Sequence, residues 1–236
     1  MLKNFRSLFS HLLSFFYPPI CPGCGKEFEE EENLLCLTCY QRLFTSSLAV
    51  CPRCGRPVPY FKRCGECRPK LNLRRIRALG LYQEPFKGIL EEFKYYGKVR
   101  LGRILGDALS LLLSYDPVLK RSDFLVPIPL HPARRRERGY NQSEILARRV
   151  AERTKIPIAF CLQRQKNTKS QVDISPEKRF ENIEGAFTLR AGYEIKGKEI
   201  TLIDDVTTTG ATLSAAAKVL RENGAKEVYG LVVAKG

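Results

Sequence analysis

The apolar positions at the start of the chain recur at helical spacing: Phe5, Leu8, Phe9, Leu12, Leu13 and Phe16. This predicts an amphipathic helix within residues 1–20. Residues 21–70 are marked instead by paired cysteines. Beyond residue 70 the pattern changes again. "IRALGLYQEPFKGILEEFKYYGKVRLGRILGDALSLLLSY" predicts a short strand near 78–82, a helix near 86–95 and a leucine-rich helix near 103–114. "DFLVPIPL" reads as a short buried strand whose length Pro127 and Pro129 limit. "HPARRRERGYNQSEILARRVAERT" reads as a basic loop, then a helix capped by Asn141 or Ser143 with Glu144 in its first turn. "IPIAFCLQR" is strand-like, and the run from Gln165 to Phe187 is long, polar and poorly periodic. A strand at 199–203, a helix at 211–223 closed by Gly224 and a strand at 227–233 complete the chain. Strand and helix alternate, so the larger part should be α/β with a parallel sheet.

The cysteines divide the chain. Eight of the nine form four C-x-x-C turns: Cys21/Cys24, Cys36/Cys39, Cys51/Cys54 and Cys64/Cys67. A two-residue gap lets both sulfurs of one turn face a tetrahedral metal, and Gly25 and Gly55 relieve the turn after the second sulfur. Two turns complete one four-sulfur site, so the pattern implies two structural zinc ions. Sequential and cross-braced pairing are both compatible with the spacing. Disulfides are the competing use, but nothing directs the chain to an oxidising compartment. With four sulfurs per ion no coordination position is left for water, so no metal catalysis is expected here. Metal would replace a core that some 50 residues can hardly build. Cys161, in "IAFCL", reads as a small buried apolar residue. The organisation expected is a helix at 1–20, a double zinc-binding module at 21–70 and an α/β domain at 71–236.

Charge sharpens this. The net charge is +15, yet residues 21–67 balance six Lys/Arg against six Glu, while residues 132–180 carry thirteen Lys/Arg against five acids. The second half therefore favours an anion: polyphosphate, nucleic acid or an acidic membrane. The first twenty residues are interrupted by Ser10, His11 and Ser14 and are too short to span a bilayer. They suit a helix docked on its own protein or, with Lys3 and Arg6 beside the Phe/Leu face, a peripheral membrane contact on an otherwise cytoplasmic protein.

The chemistry concentrates in "EITLIDDVTTTGATLSAAAKVL", residues 199–220. It leaves a strand through two carboxylates, passes a Thr/Gly-rich loop and enters a helix. Unsatisfied amides at a helix N-terminus attract anions, and Thr207, Thr208, Thr209 and Thr212 add hydroxyl donors. Gly210 allows close backbone approach, which makes a phosphate cradle. It is neither a Gly-Lys-Ser/Thr nucleotide loop nor G-x-G-x-x-G. Asp204 and Asp205 would repel phosphate, so they should meet ribose hydroxyls or a magnesium ion carried with them. The order suggests a ribose 5-phosphate. No Ser-His-Asp or Cys-His constellation is evident, and neither His11 nor His131 stands out as a base.

"ITLIDDVTTTGAT" resembles the phosphoribosyl pyrophosphate (PRPP) signature of type I phosphoribosyltransferases, with Thr207 where an apolar residue is common. The wider pattern resembles the ComF competence-protein family, also described as amidophosphoribosyltransferase-like. The cysteine turns, "PLHP" at 129–132, "RGYNQ" at 138–142, then Gln171, Ser175, Arg179, Asn182 and "GAF" at 185–187 follow in that family's order. The resemblance implies a type I phosphoribosyltransferase fold behind a small zinc-ribbon module. It implies that Thr208, Thr209, Gly210 and Thr212 hold the 5-phosphate within a PRPP-binding stretch that includes Val206, Thr207 and Ala211. Asp204 and Asp205 would meet the ribose, and with Arg138 would be the catalytic groups. Arg134, Arg136 and Arg138, with Gly139, Asn141 and Gln142, would form the pyrophosphate loop, and residues 166–179, with Gln171 and Arg179, a closing lid. Residues 71–122 are the candidate acceptor hood.

The reaction implied is transfer of ribosyl 5-phosphate from PRPP, with magnesium, to an acceptor the sequence does not name. Pyrophosphate would be released, in a protein of DNA uptake and natural transformation. The alternatives are a PRPP- or nucleotide-binding protein without catalysis, and a factor handling single-stranded DNA beside other DNA-uptake proteins.

Overall fold

The structure is a computed structural model that describes residues 19–28, 34–45, 49–58, 64–65, 71–166 and 178–236. The predicted helix at 1–20 falls almost wholly outside the described residues, as do Cys67, Gln171 and most of the 166–179 loop. Among the described residues no helix is long and apolar enough to cross a membrane.

The elements, in chain order, are α1 (Leu37–Phe44), β1 (Arg75–Leu81), α2 (Phe86–Tyr95), α3 (Leu101–Tyr115), a 3-10 turn (Leu119–Arg121), β2 (Phe124–Pro127), α4 (Pro132–Arg138) and α5 (Gln142–Thr154). They continue with β3 (Leu162–Arg164), α6 (Arg179–Ile183), β4 (Phe187–Leu189), β5 (Glu199–Thr207), α7 (Ala211–Glu222) and β6 (Glu227–Lys235). Four strands form a parallel sheet in the order β1-β6-β5-β2, extended beyond β2 by a parallel bridge from Leu125 to Ile158. β6, "EVYGLVVAK", is buried at every position after Glu227. That is the mark of a strand covered on both faces, and it explains why its sequence runs apolar rather than alternating. Helices α2, α3 and α5 cover one face around Ile89, Phe93, Leu105, Leu109 and Leu146. Helix α7 covers the other with Leu213, Ala217 and Leu220.

Several stretches differ from the sequence expectation, and the end of the long polar run forms α6 and enters β4. The basic loop is a helix, α4: His131 accepts from Ala133 N at 3.2 Å as its cap, Pro132 opens it, and Gly139 closes it at φ 78°. The strand expected at 199–203 runs on to Thr207. Asp204, Val206 and Thr207 pair with Val232, Ala234 and Lys235 of β6. The run "IPIAFCLQR" divides into the Ile158 bridge and β3, which pairs antiparallel with β4 in a separate two-stranded ribbon. Cys161 is fully buried, as its surroundings predict.

The zinc-binding module repeats one turn twice. Cys21 N and Cys51 N donate to Lys26 O and Arg56 O at 2.9 and 2.7 Å, and Gly25 and Gly55 take φ of 69° and 72°. The module is seated on the domain. Cys21, Cys39 and Leu43 share the core of Phe86, Ile89 and Phe93, while Cys51 and Cys54 pack with Leu71, Leu73 and Ile76. Ile76 N donates to Arg53 O at 2.7 Å.

Candidate functional site

The carboxyl ends of parallel strands leave a crevice where ligands collect. Here a cleft of about 340 Å³ opens at the ends of β5 and β2. Its floor is Asp204, Asp205 and Val206 of β5, with Thr208 and Thr212 at the entrance to α7. Arg134 and Arg138 of α4, Gln142 and Ser143 of α5, Arg164 of β3 and Arg179 of α6 line it as well. Lys94 and Tyr95, at the end of α2, complete the lining. Five cations thus surround two carboxylates.

The two aspartates are neighbours in sequence but have different partners. Asp204 Oδ1 accepts from Ser143 Oγ and from Asp205 N, each at 2.9 Å. Its carboxyl is pushed up to about 7, first by burial and then by the charge of Asp205. Asp205 Oδ2 lies 3.0 Å from Lys94 Nζ, with both side chains 14% exposed. Burial opposes the Lys94 charge, yet Asp205 and then Asp204 hold its pKa above the ordinary lysine value. Burial first, and the nearby Arg134 second, lower Arg164.

The loop between β5 and α7 is held from two sides. Arg179 Nη1 donates to Thr208 Oγ1 at 2.8 Å. Lys235 Nζ, buried, donates to the Thr208 carbonyl and to Gly236 O. Gly210 sits at φ 82° just before α7, a left-handed position that a side chain adopts with strain. Thr207 is buried, and Thr209 Oγ1 accepts from Ala211 N at 3.4 Å, so both, with Gly210 and Ala211, shape the loop behind the cleft lining.

Helical geometry separates the arginines that the sequence groups together. Arg134 and Arg138 lie four residues apart on one face of α4 and line the cleft. Arg136 lies opposite and, with Arg135, Gly139, Asn141 and Arg190, lines a neighbouring groove of about 670 Å³. Asn141 fastens the walls: Nδ2 donates to Ile128 O at 3.0 Å, and Oδ1 accepts from Ser143 N at 3.1 Å. Gln142 Oε1 accepts from Arg138 Nη1 at 3.3 Å, and Arg138 stacks 5.1 Å above the Tyr95 ring. Lys94, Ser143, Arg164 and Lys235 were not among the candidate site residues named from sequence. Only Ser143 carried a local signal, as a possible helix cap.

The cysteine sulfurs form two clusters. Cys21, Cys24, Cys36 and Cys39 place every sulfur within 4.8 Å of the others, as do Cys51, Cys54 and Cys64. The sulfurs of Cys24 and Cys36 are 3.7 Å apart, and those of Cys54 and Cys64 3.6 Å. Tetrahedral sulfurs on zinc at ~2.3 Å stand ~3.8 Å from one another, so the clusters fit structural zinc. Pairing is sequential, first turn with second. Cys67, outside the described residues, is the expected fourth ligand of the second cluster.

A family model for a double zinc ribbon domain matches residues 12–68, and one for a phosphoribosyl transferase domain matches residues 139–236. The chain is 30% identical to competence protein F of Haemophilus influenzae over 215 residues, 88% of this chain and 93% of that one. It is 30% identical to competence protein ComFC of Bacillus subtilis over 226 residues, 87% and 90% of the two chains. It is 27% identical to the DNA utilization protein YhgH of Escherichia coli over 217 residues, 89% and 94%. Among solved structures, glutamine PRPP amidotransferase from B. subtilis aligns at a TM-score of 0.41 and 20% identity, over 60% of this chain and 30% of that one.

Proposed function

The chain belongs to the ComF competence-protein family and carries a phosphoribosyltransferase domain behind a double zinc ribbon, and from that premise we propose that its cleft binds PRPP and transfers the ribosyl 5-phosphate with release of pyrophosphate. The observation that carries this reading is the convergence, in one cleft, of two strand-end carboxylates, a Thr/Gly loop at a helix N-terminus and arginines from α4 and α6.

Each group has a task that its chemistry suits. The loop from Thr208 to Thr212 takes the 5-phosphate, with the N-terminus of α7 supplying amides. Asp205 and Asp204 accept from the ribose 2- and 3-hydroxyls. Arg134 and Arg138 face the pyrophosphate. As the C1–oxygen bond to pyrophosphate breaks, positive charge grows on the ribose ring and negative charge on the leaving group. Arginines fixed beforehand at the leaving group stabilise that separation more than they stabilise bound PRPP. The acceptor, held beside Tyr95 and Lys94, supplies the electron pair for the new bond at C1. Residues 71–122 are the hood in this reading, since α2 brings both side chains to the cleft. Magnesium, bound by the polyphosphate, would neutralise part of its charge and polarise the leaving oxygen.

Calorimetric titration with PRPP, with and without magnesium, tests this. Wild type should bind with magnesium, and Asp204→Asn/Asp205→Asn should weaken binding strongly. Equal affinity of both proteins would remove the assignment. Release of pyrophosphate on addition of an acceptor separates transfer from binding alone.

A second reading has its own observation. The groove beside the cleft presents Arg135, Arg136 and Arg190, a surface suited to a nucleic-acid backbone in a family whose relatives are named for competence and DNA utilization. Its affinity should fall steeply with salt and ignore the aspartates.

A further inference from the structure

The acidic pair already holds a cation. Lys94 reaches across from the last turn of α2 to Asp205 at 3.0 Å, and both groups are largely removed from water. The turn that carries Lys94 is fixed on both sides. Tyr140 OH donates to the Phe93 carbonyl, and Arg138 stacks on Tyr95. Lys94 therefore arrives from a packed helix, with little freedom to swing out. Asp204 Oδ1, for its part, accepts from Ser143 Oγ and from the Asp205 amide.

A free divalent cation at Asp205 would have to displace the ammonium or crowd it. It would also add charge to a cleft that already contains Arg134, Arg138, Arg164 and Arg179. A metal ion wrapped by polyphosphate oxygens brings net negative charge instead, and the same arginines then attract it. We propose that Lys94 is the built-in counter-ion of the acidic pair: it holds the cation position at Asp205, so divalent metal enters only as its polyphosphate complex. The proposal depends on the PRPP reading only for the identity of that polyphosphate.

The zinc-loaded full chain is titrated with Mn2+ alone, read by electron paramagnetic resonance of the free ion. Wild type should bind Mn2+ weakly. Lys94→Met should bind it at least about tenfold more tightly, the ratio that 1.4 kcal/mol produces, and Lys94→Met/Asp205→Asn should return to the wild-type level. Equal Mn2+ affinity of wild type and Lys94→Met overturns the proposal. A measurement on wild type alone covers failure of the variant to fold. The Lys94 ammonium, followed by 15N magnetic resonance and assigned with Lys94→Arg, should not shift with millimolar Mg2+ and should shift when pyrophosphate accompanies it. A shift with Mg2+ alone, or none with magnesium pyrophosphate, overturns it. If PRPP fails to bind while the Mn2+ difference persists, the PRPP reading falls and the counter-ion role stands.

Discussion

The Pro22 carbonyl presses against Gly88: a Cβ on residue 88 would lie 2.0 Å from Pro22 O. The first cysteine turn is thus seated on the N-terminal half of α2, whose other end carries Lys94 into the cleft. Gly23 of the same turn is also closely packed, where a Cβ would fall 2.9 Å from Cys39 Sγ and from Pro85 Cβ.

Gly88→Ala sets two effects against each other. Alanine inside a helix gains roughly 0.5–1 kcal/mol over glycine. Backbone overlap costs about 1–3 kcal/mol, and the atom it meets is a carbonyl that cannot rotate away. The expected outcome is net destabilisation with the module partly unseated. Chemical denaturation should show a lower midpoint, and limited proteolysis should cut first within residues 19–58. An unchanged midpoint would mean that the contact relaxes freely.

Zinc should hold α2 as well as the module. Metal analysis of the purified chain is expected to give two zinc ions. Cys39 is buried in the same core as Phe86, Ile89 and Phe93. Cys39→Ser should therefore remove about one ion and also lower the thermal midpoint of the whole chain. Cys64→Ser should remove the other ion and leave the α2 side intact, because its cluster packs with Leu71, Leu73 and Ile76.

Asp204 should make stability fall as pH rises. Its folded pKa is about 7, above the ~3.9 of an unfolded aspartate. Between those values the native state binds more protons than the unfolded state, so stability declines from about pH 4 to pH 7 and then levels off. Asp204→Asn keeps an oxygen for Ser143 and removes the buried charge. It should raise the thermal midpoint at pH 8 by a few degrees, about 2–4 °C per kcal/mol in a chain of this size, and flatten the decline, while weakening PRPP binding. A lower midpoint at pH 8 would contradict the burial argument.

What was legible in the sequence was local. The cysteine spacing, the Asp-Asp-Thr-Gly order and the alternation of strand and helix are local patterns, and each is found among the described residues. The end of β5 was read short because aspartate and threonine followed by glycine look like a loop, whereas pairing with Ala234 and Lys235 carries them into the sheet. Helix α4 did carry a readable signal, Pro132 at its start and Gly139 at its end. The charge of its four arginines obscured it. Lys94 had none. It lies on a helix whose apolar face explains its neighbours, and only the fold brings it to Asp205.

Arg179 joins the α6 end of the long polar segment to the loop between β5 and α7 through Thr208 Oγ1. A hydrogen bond from a charged donor is worth about 1.5–3 kcal/mol. If Arg179 reaches the bound phosphate as well, Arg179→Ala should weaken PRPP binding about 10- to 100-fold. Thr208→Ala should cost less, since it removes a neutral hydroxyl. A thermal midpoint close to wild type in both variants would assign the loss to the ligand rather than to folding.

The arginines of α4 offer the most discriminating comparison, because one seven-residue helix provides both test and control. Arg134 and Arg138 line the cleft, while Arg136 faces the adjoining groove. Arg134→Ala and Arg138→Ala should each raise the dissociation constant for magnesium PRPP at least about tenfold, the loss of roughly 1.4 kcal/mol. Arg136→Ala removes the same charge from the same helix and should change that constant less than about threefold, the scale of a long-range, screened effect. The order should reverse for single-stranded DNA if the groove holds its backbone: Arg136→Ala should reduce the salt slope by about one unit, and Arg134→Ala should not. Equal effects of all three variants on PRPP would show that the helix acts through its summed charge, and that the cleft does not select between its two faces.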